Sequence, residues 1–204
     1  MVNPNTEVTR LKELMPASAR MKIKLILNDR QIPVIKAEFP RPWQRSHCVT
    51  LNMDLWQHLS VAERDLIFLR TISWVMLANL LKPNGYQLLA GAGVAGGLLE
   101  LMQGDAVGVL AAGGVTALAG WQLWRRVNGP QTDIAADDRA VQVAQRRGYT
   151  QTDAANALIR AIEAVPALEG RRVLTKDELL RCQNLRTQTR MTEFSSVPTG
   201  SQPR

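Results

Sequence analysis

The chain has 204 residues, of which 46% are apolar and 21% charged, a composition that excludes a disordered chain or a coiled coil and suits a single domain. Twenty-five Lys and Arg residues against 18 acids give a net charge of +7, but the sequence has no nucleic-acid motif and no basic cluster interleaved with aromatics, so we expect no nucleic-acid partner. Two cysteines without a CxxC motif exclude a disulfide framework and a cysteine-built zinc site.

The N-terminal part of the sequence predicts a short helix followed by a small sheet. The helix covers Val8–Met15 and ends at Pro16. Residues 1–22 lack the apolar core of a signal peptide, so we expect the domain to start on the cytosolic side. Alternating apolar residues predict strands at Met21–Leu27, Ile32–Ala37 and His47–Met53. With a turn at Asn28–Asp29, the expected fold class is α+β with a small antiparallel sheet.

A long helix with a clear start is predicted over Ser60–Leu81. Ser60 and Glu63 form a capping box, in which each side chain satisfies a backbone donor of the other. Apolar residues then cover more than half of the helix circumference, which predicts burial on most sides. Pro83-Asn84-Gly85 ends the helix.

Two nearly uncharged runs, Tyr86–Met102 and Ala106–Trp124, follow on either side of Gln103-Gly104-Asp105. Each run is about as long as a membrane-spanning helix. The sequence therefore predicts an inserted transmembrane helical hairpin over 86–124. Glu100 would be costly at mid-bilayer, but it lies close enough to the bend to reach the far interface. The alternative is a Gly/Ala-rich hairpin buried in a soluble protein.

The residues of this hairpin predict how it packs and how it is oriented. Small residues are expected to line the contact between its helices: Gly93, Gly97, Ala112, Thr116 and Gly120. Aromatic and basic residues are expected at the membrane interface: Lys82, Tyr86, Trp121, Trp124, Arg125 and Arg126. Because the cations flank both ends, we expect the bulk of the domain on the cytoplasmic or stromal side.

Three helices are predicted after the hairpin. The first covers about Thr132–Arg147 and is closed by Gly148. The second runs from Thr150 to Pro166, and a short third helix covers Lys176–Cys182. We expect one domain over 1–187 and a polar, disordered tail over 188–204.

Two segments together resemble the HtpX-like membrane-anchored zinc peptidases. Leu59, Ser60 and Glu63 match the L-[ST]-x-x-E opening of the helix that carries HExxH in those enzymes. Asp133-Ile134-Ala135-Ala136-Asp137 stands in the place of their later ExxAD motif. The resemblance covers about residues 20–165 and rests on element order and spacing. It implies a zincin-like arrangement in which the HExxH positions fall on residues 70–74.

The residues at those positions cannot perform the zinc chemistry. Zinc needs two imidazoles four residues apart, but Arg70 stays protonated and Trp74 offers only an N–H donor. Thr71 cannot replace the glutamate that activates water. The resemblance thus implies a degenerate former metal site at Arg70, Thr71, Trp74, Asp133 and Asp137, without a catalytic residue, metal or cofactor. We expect Arg70 to pair with Asp133 or Asp137, and Trp74 to fill the space of the second imidazole; the alternative is an Arg70 that extends to solvent.

No other residues offer a catalytic centre. His47 on the third strand and His58 in the turn before the long helix do not share a face with Asp133. Cys48 is expected to be a small buried side chain rather than a nucleophile. Ser60 and Ser73 have no basic partner at a usable spacing.

A second resemblance is to a family of unknown function found in cyanobacteria and chloroplasts. The matching segments are Leu59–Leu69, Glu100–Gly114 and Ala144–Tyr149, within a similarity over Leu51–Arg186. It implies a photosynthetic membrane, the thylakoid or the plasma membrane.

The two resemblances together predict a non-catalytic, membrane-anchored scaffold, accessory or assembly factor. Its partner would be an integral membrane complex such as a photosystem or its assembly intermediate, and no small-molecule substrate is expected. The alternatives are a residual or divergent membrane hydrolase that uses Asp133 or Asp137, and a soluble protein with a buried hairpin.

Overall fold

The computed structural model describes residues 3–39, 44, 46–79, 95, 113–114, 116–118, 121 and 129–196, with the backbone alone for 79 and 193–196. The chain divides into two compact units, Met1–Asn79 with Asp133–Arg204, and Leu80–Thr132. The described residues 95, 113–114, 116–118 and 121 of the second unit are helical. The sheet, the apolar core and the charge clusters all lie within the first unit.

The first unit contains a three-stranded sheet of mixed direction. The strands are β1 (Ile23–Leu27), β2 (Ile35–Ala37) and β3 (His47–Leu51), in the order β1-β3-β2. β2 and β3 are antiparallel, but β1 runs parallel to β3. The prediction of an antiparallel sheet is therefore wrong for the β1–β3 pair.

The segment after β1 explains this topology, because its turn residues bond to the end of β3 instead of closing a hairpin. The Asn28 N–H donates to the carbonyl of Leu51 at 2.8 Å. Asp29 Oδ1 accepts from the Met53 N–H at 2.8 Å. Val34 N–H donates to Glu169 Oε1 at 3.1 Å, far along the chain. These bonds carry the chain past the end of β3, so that β2 pairs on its far side.

Seven helices have both ends within the described residues. Their bounds are α1 Pro4–Leu14, α2 Ala17–Arg20, α3 Met53–Trp56, α4 Val61–Asn79, α5 Pro130–Gln145, α6 Gln151–Leu168 and α7 Lys176–Ser196. The predicted capping box is present before α4: the Ser60 N–H donates to Glu63 Oε2 at 2.9 Å, and the Glu63 N–H donates to Ser60 Oγ at 3.4 Å. Gly148 ends the α5 segment with a φ of 97°, a conformation that favours glycine.

Two adjoining apolar clusters form the core. One lies between the sheet, α1, α4 and the C-terminal half of α6, and includes Val49, Trp56 and Phe68. The other joins α4, α5, α6 and α7, and includes Leu158 and Leu185. α6 packs against both α4 and α7.

Several predicted boundaries are off by two to four residues, as where the first helix starts at Pro4 instead of Val8, and three further differences concern how an element ends. The third strand ends at Leu51, because Asn52 caps the short helix α3 by accepting from the Leu55 N–H. α6 passes through Pro166 to Leu168 instead of ending there. α7 continues to Ser196 instead of stopping at Cys182, so residues 188–196 of the predicted tail are helical.

The transmembrane hairpin in the predicted fold class is contradicted. Among the described residues, no helix is both long enough and apolar enough to cross a membrane. Three described helices, α4, α6 and α7, are long enough, but each contains three or more Asp, Glu, Lys or Arg residues, which are costly in the bilayer interior.

Most residues singled out between 82 and 126 lie outside the described part of the chain. These are Lys82, Tyr86, Gly93, Gly97, Ala112, Gly120, Trp124, Arg125 and Arg126. Thr116 and Trp121 are described: both are helical, Thr116 is half-buried and Trp121 is exposed.

A buried charge cluster as the candidate functional site

Arg70 on α4 lies against the two aspartates that the sequence analysis assigned to it. It donates a hydrogen bond to Asp133 Oδ1 on α5, across 63 residues of sequence. Its Nε lies 3.6 Å from Asp137 Oδ1. The predicted ion pair is therefore present, and Arg70 does not extend freely to solvent, since its side chain is only 21% exposed.

Asp137 has a second and stronger partner that the sequence analysis missed. Arg181 on α7 donates two hydrogen bonds to its carboxylate, Nε to Oδ2 at 2.7 Å and Nη2 to Oδ1 at 2.8 Å. Asp137 is completely buried and Arg181 almost so. One sequence signal could have revealed Arg181: it shares a helical stripe with Cys182, Leu185 and Thr189, all of which are buried.

The four charges of this cluster balance. Burial lowers the pKa of Arg70, and the charge of Arg181 acts in the same direction, while Asp137 and Asp133 oppose them. Burial also acts to lower the pKa of Arg181, but its hydrogen bonds and charge interaction with Asp137 outweigh that effect and raise it. Two guanidinium groups thus face two carboxylates, and each carboxylate is held by at least one of them.

Thr71 and Trp74, the other two residues of the predicted site, also contact neighbouring residues. The hydroxyl of Thr71 donates to the carbonyl of Ile67 at 2.8 Å. Trp74 is half-buried and meets Phe39 edge to face, with ring centroids 6.3 Å apart. Whether Trp74 takes the place of an ancestral imidazole stays a prediction.

Within the described residues, no three His, Cys, Asp or Glu side chains are arranged to hold a metal ion. His47 is completely buried at the start of β3, and His58 is exposed before α4. The two aspartates of the cluster face guanidinium groups. The donor set of the described residues therefore does not fit the zinc ion of the peptidases that the sequence resembles.

A second buried charge network, centred on Glu7, ties α1 to α3 and α4. Glu7 Oε1 accepts from Arg10 Nη2 at 2.8 Å, from Trp56 Nε1 at 3.0 Å and from Arg64 Nη1 at 3.2 Å. Glu7 is 5% exposed. In the sequence, Glu7 precedes Leu11 and Leu14 by four and seven residues, so it lies on the apolar side of α1, a signal that could have marked it as buried.

The same network continues to the segment after α5. Arg10 Nη1 donates to Asp65 Oδ1 at 2.5 Å, and the Tyr149 hydroxyl donates to Asp65 Oδ2 at 2.8 Å. Burial, followed by the hydrogen bond to Asp65, raises the pKa of Tyr149 to about 12. Arg64 and Asp65 lie in the segment Leu59–Leu69 and Tyr149 ends Ala144–Tyr149, so this network gives a structural role to residues of two segments that carry the family resemblance.

Comparison with known proteins identifies the family. Residues 9–149 match the model of a protein family of unknown function, DUF3318. The chain belongs to this family. It is also 27% identical to the Thylakoid membrane protein slr1949 of Synechocystis sp., over 189 residues that cover 89% of this chain and 86% of the relative. No solved structure matches the chain.

These comparisons support part of the sequence interpretation. Membership in the family of unknown function is shown, and the Synechocystis relative is named as a thylakoid membrane protein. The likeness to the HtpX-like peptidases is found in none of these comparisons. It rests on element order and spacing in the sequence.

Proposed function

We propose that this protein is a non-catalytic scaffold or accessory factor of a thylakoid membrane protein complex, and that its buried charge cluster is a former zinc site. The name of the Synechocystis relative, a thylakoid membrane protein, supports the location at this membrane. The contacts of Arg70, Asp133 and Asp137 support the loss of catalysis.

One observation supports the proposal that the cluster is a former zinc site. The resemblance to the HtpX-like peptidases puts Arg70 at the first histidine ligand and Asp133 at the third ligand, so the two positions would share one ion. In the structure these residues are in direct contact although 63 positions separate them in sequence. The charges also match, because the guanidinium groups of Arg70 and Arg181 together supply the +2 of a zinc ion to the two carboxylates.

The same contacts speak against a hydrolase that uses Asp133 or Asp137. A general base needs a carboxylate that can accept a proton from water or substrate. Both oxygens of Asp137 accept from Arg181, and Asp133 accepts from Arg70. These bonds occupy both oxygens of the buried Asp137 and one oxygen of Asp133, and we take them to favour the scaffold over the enzyme.

Rebuilding the metal site tests the proposed origin of the cluster. The variant Arg70→His, Thr71→Glu, Trp74→His and Asp133→Glu restores the ligands and the base of the peptidase motif. We expect it to bind one zinc ion per chain, measured by elemental analysis after dialysis. The matched control keeps the other three substitutions but has Trp74→Phe, and it should bind zinc far more weakly. A folded rebuilt variant without zinc would refute the former site.

Affinity purification from native membranes tests the scaffold role. The tagged, full-length protein should co-purify in stable ratio with an integral membrane protein complex after mild detergent extraction. Recovery of the protein alone, or turnover of a substrate by the purified wild-type protein, would contradict the proposal. An untagged strain provides the background.

A further inference from the structure

The side of the sheet that faces away from the core carries both polar and apolar side chains. Side chains alternate along the strands, and His47, Val49 and Leu51 of β3 point into the core. The opposite side, here called the outer sheet face, consists of Lys24, Ile26, Lys36, Cys48 and Thr50. The strand register places Ile26, Thr50 and Lys36 in one row across all three strands. Lys24, Ile26 and Lys36 are exposed.

The lysines of this region carry charge that the described part of the protein does not neutralise. Lys22, Lys24 and Lys36 are exposed, and none of them forms an ion pair with a described carboxylate. By contrast, Arg70 and Arg181 are both paired within their cluster. The lysines therefore outnumber the exposed carboxylate beside them, Glu38, whose N–H donates to the Cys48 carbonyl, and they give this part of the sheet an excess of positive charge.

Large apolar side chains are also exposed on β1 and in the segments that flank it. Ile26 on the outer sheet face is 44% exposed, Met21 before β1 is 87% exposed, and Ile32 after β1 is 74% exposed. Apolar side chains interleaved with lysines are the composition of surfaces that settle into the headgroup region of anionic membranes. The apolar groups enter the boundary of the acyl chains, and the lysines reach the headgroups.

We infer that the outer sheet face docks on the surface of an anionic lipid bilayer, an inference that rests on the proposed location at the thylakoid membrane. The choice of residues favours lipid over a protein partner. Protein interfaces are enriched in aromatic residues and Arg and depleted in Lys. The outer sheet face has two lysines and neither an aromatic residue nor an arginine.

A site-directed fluorescent probe tests the contact in the full-length chain. The native thiols are removed by Cys48→Ser and Cys182→Ala, and Ile26→Cys is labelled with an environment-sensitive dye. The matched control is Leu179→Cys, an exposed apolar position on α7. Each protein is mixed with phosphatidylcholine vesicles, with or without phosphatidylglycerol, and thermal melts of the labelled proteins check the fold.

With the anionic vesicles, we expect the probe at position 26 to shift to shorter wavelength and to be quenched by spin-labelled lipid, while the probe at 179 does not respond. Lys24→Gln with Lys36→Gln should raise the lipid concentration for half-maximal response by about fivefold per lysine. High salt should weaken the response in the same direction.

Three results would overturn the inference. A probe at position 26 that stays in water while the protein sediments with vesicles would leave the membrane location intact but remove this face from it. Protection of the probe only in the presence of a membrane protein complex would assign the face to a protein partner. Failure to bind either kind of vesicle would also refute lipid docking, while co-purification with a membrane complex would still decide the proposed function.

Discussion

Arg181 and Asp137 form a buried, two-pronged ion pair that joins α7 to α5, with hydrogen bonds of 2.7 and 2.8 Å. Arg70 approaches the same carboxylate from α4. One aspartate thus connects three helices that are distant in sequence. Because Asp137 is completely buried, we expect the loss of its partners to lower the free energy of unfolding more than the loss of any other charge in the cluster.

Removing Arg181 should destabilise the protein strongly. Arg181→Ala leaves Asp137 buried with only the more distant Arg70, and breaking a buried pair costs about 3–5 kcal/mol of unfolding free energy. The matched control is Arg186→Ala on the same helix, whose pair with Glu163 is exposed; it should cost at most about 1 kcal/mol. Urea denaturation of both variants measures the difference. Equal losses would show that the Arg181 pair contributes no more than a surface pair.

The Arg70–Asp133 pair should also stabilise the fold, but by less than the Arg181–Asp137 pair. Both side chains are partly exposed, at 21% and 23%. In a double-mutant cycle of Arg70→Ala and Asp133→Ala, we expect a coupling free energy of about 1–3 kcal/mol, as for hydrogen-bonded charges in contact. Denaturation of the two single variants, the double variant and the wild type supplies the cycle. A coupling near zero would mean that the contact does not stabilise the fold.

Tyr149 should make stability fall at alkaline pH. Its pKa is raised from 10.0 to about 12 by burial and by the hydrogen bond to Asp65, so the folded state favours the neutral phenol. The resulting stability is present in full below pH 10 and is lost as the pH rises towards 12. Tyr149→Phe should remove this part of the pH dependence. Absorbance titration of tyrosinate in both proteins measures the pKa of Tyr149. A pKa near 10 would contradict the predicted effect of burial and of the hydrogen bond to Asp65.

Glu7 should contribute to the loss of stability in acid. Burial acts to raise its pKa, but hydrogen bonds from Arg10 and Trp56 and the charges of Arg10 and Arg64 outweigh burial and lower it. Its contribution is therefore present above the ordinary pKa of 4.5 and is lost as the pH falls through the lowered value.

The variant Glu7→Gln isolates this contribution. It removes the charge, leaves Arg64 buried without its counter-ion, and should cost about 3 kcal/mol at neutral pH. Its stability should also depend less on pH below 4.5. The matched control is Glu13→Gln on an exposed turn near the end of the same helix. Indistinguishable acid denaturation of the two variants would contradict the role of Glu7.

Local patterns in the sequence were sufficient for the elements that depend on near neighbours. The capping box of Ser60 and Glu63 predicted the start of α4, and Gly148 predicted the end of α5. Alternation located all three strands, because the period of a strand is fixed by its own backbone. The pairing of Arg70 with Asp133 was predicted as well, but from a resemblance that supplied the missing three-dimensional arrangement.

Long-range contacts decided what these patterns left open. The parallel pairing of β1 with β3 depends on bonds from Asn28 and Asp29 to the end of β3, and Val34 N–H bonds to Glu169, 135 residues away. The partners of Asp137 and Glu7 likewise come from other helices. A charged residue on an apolar stripe shows from sequence that it needs a partner, since burial of a lone charge is costly. Only the tertiary structure determines which distant guanidinium supplies it.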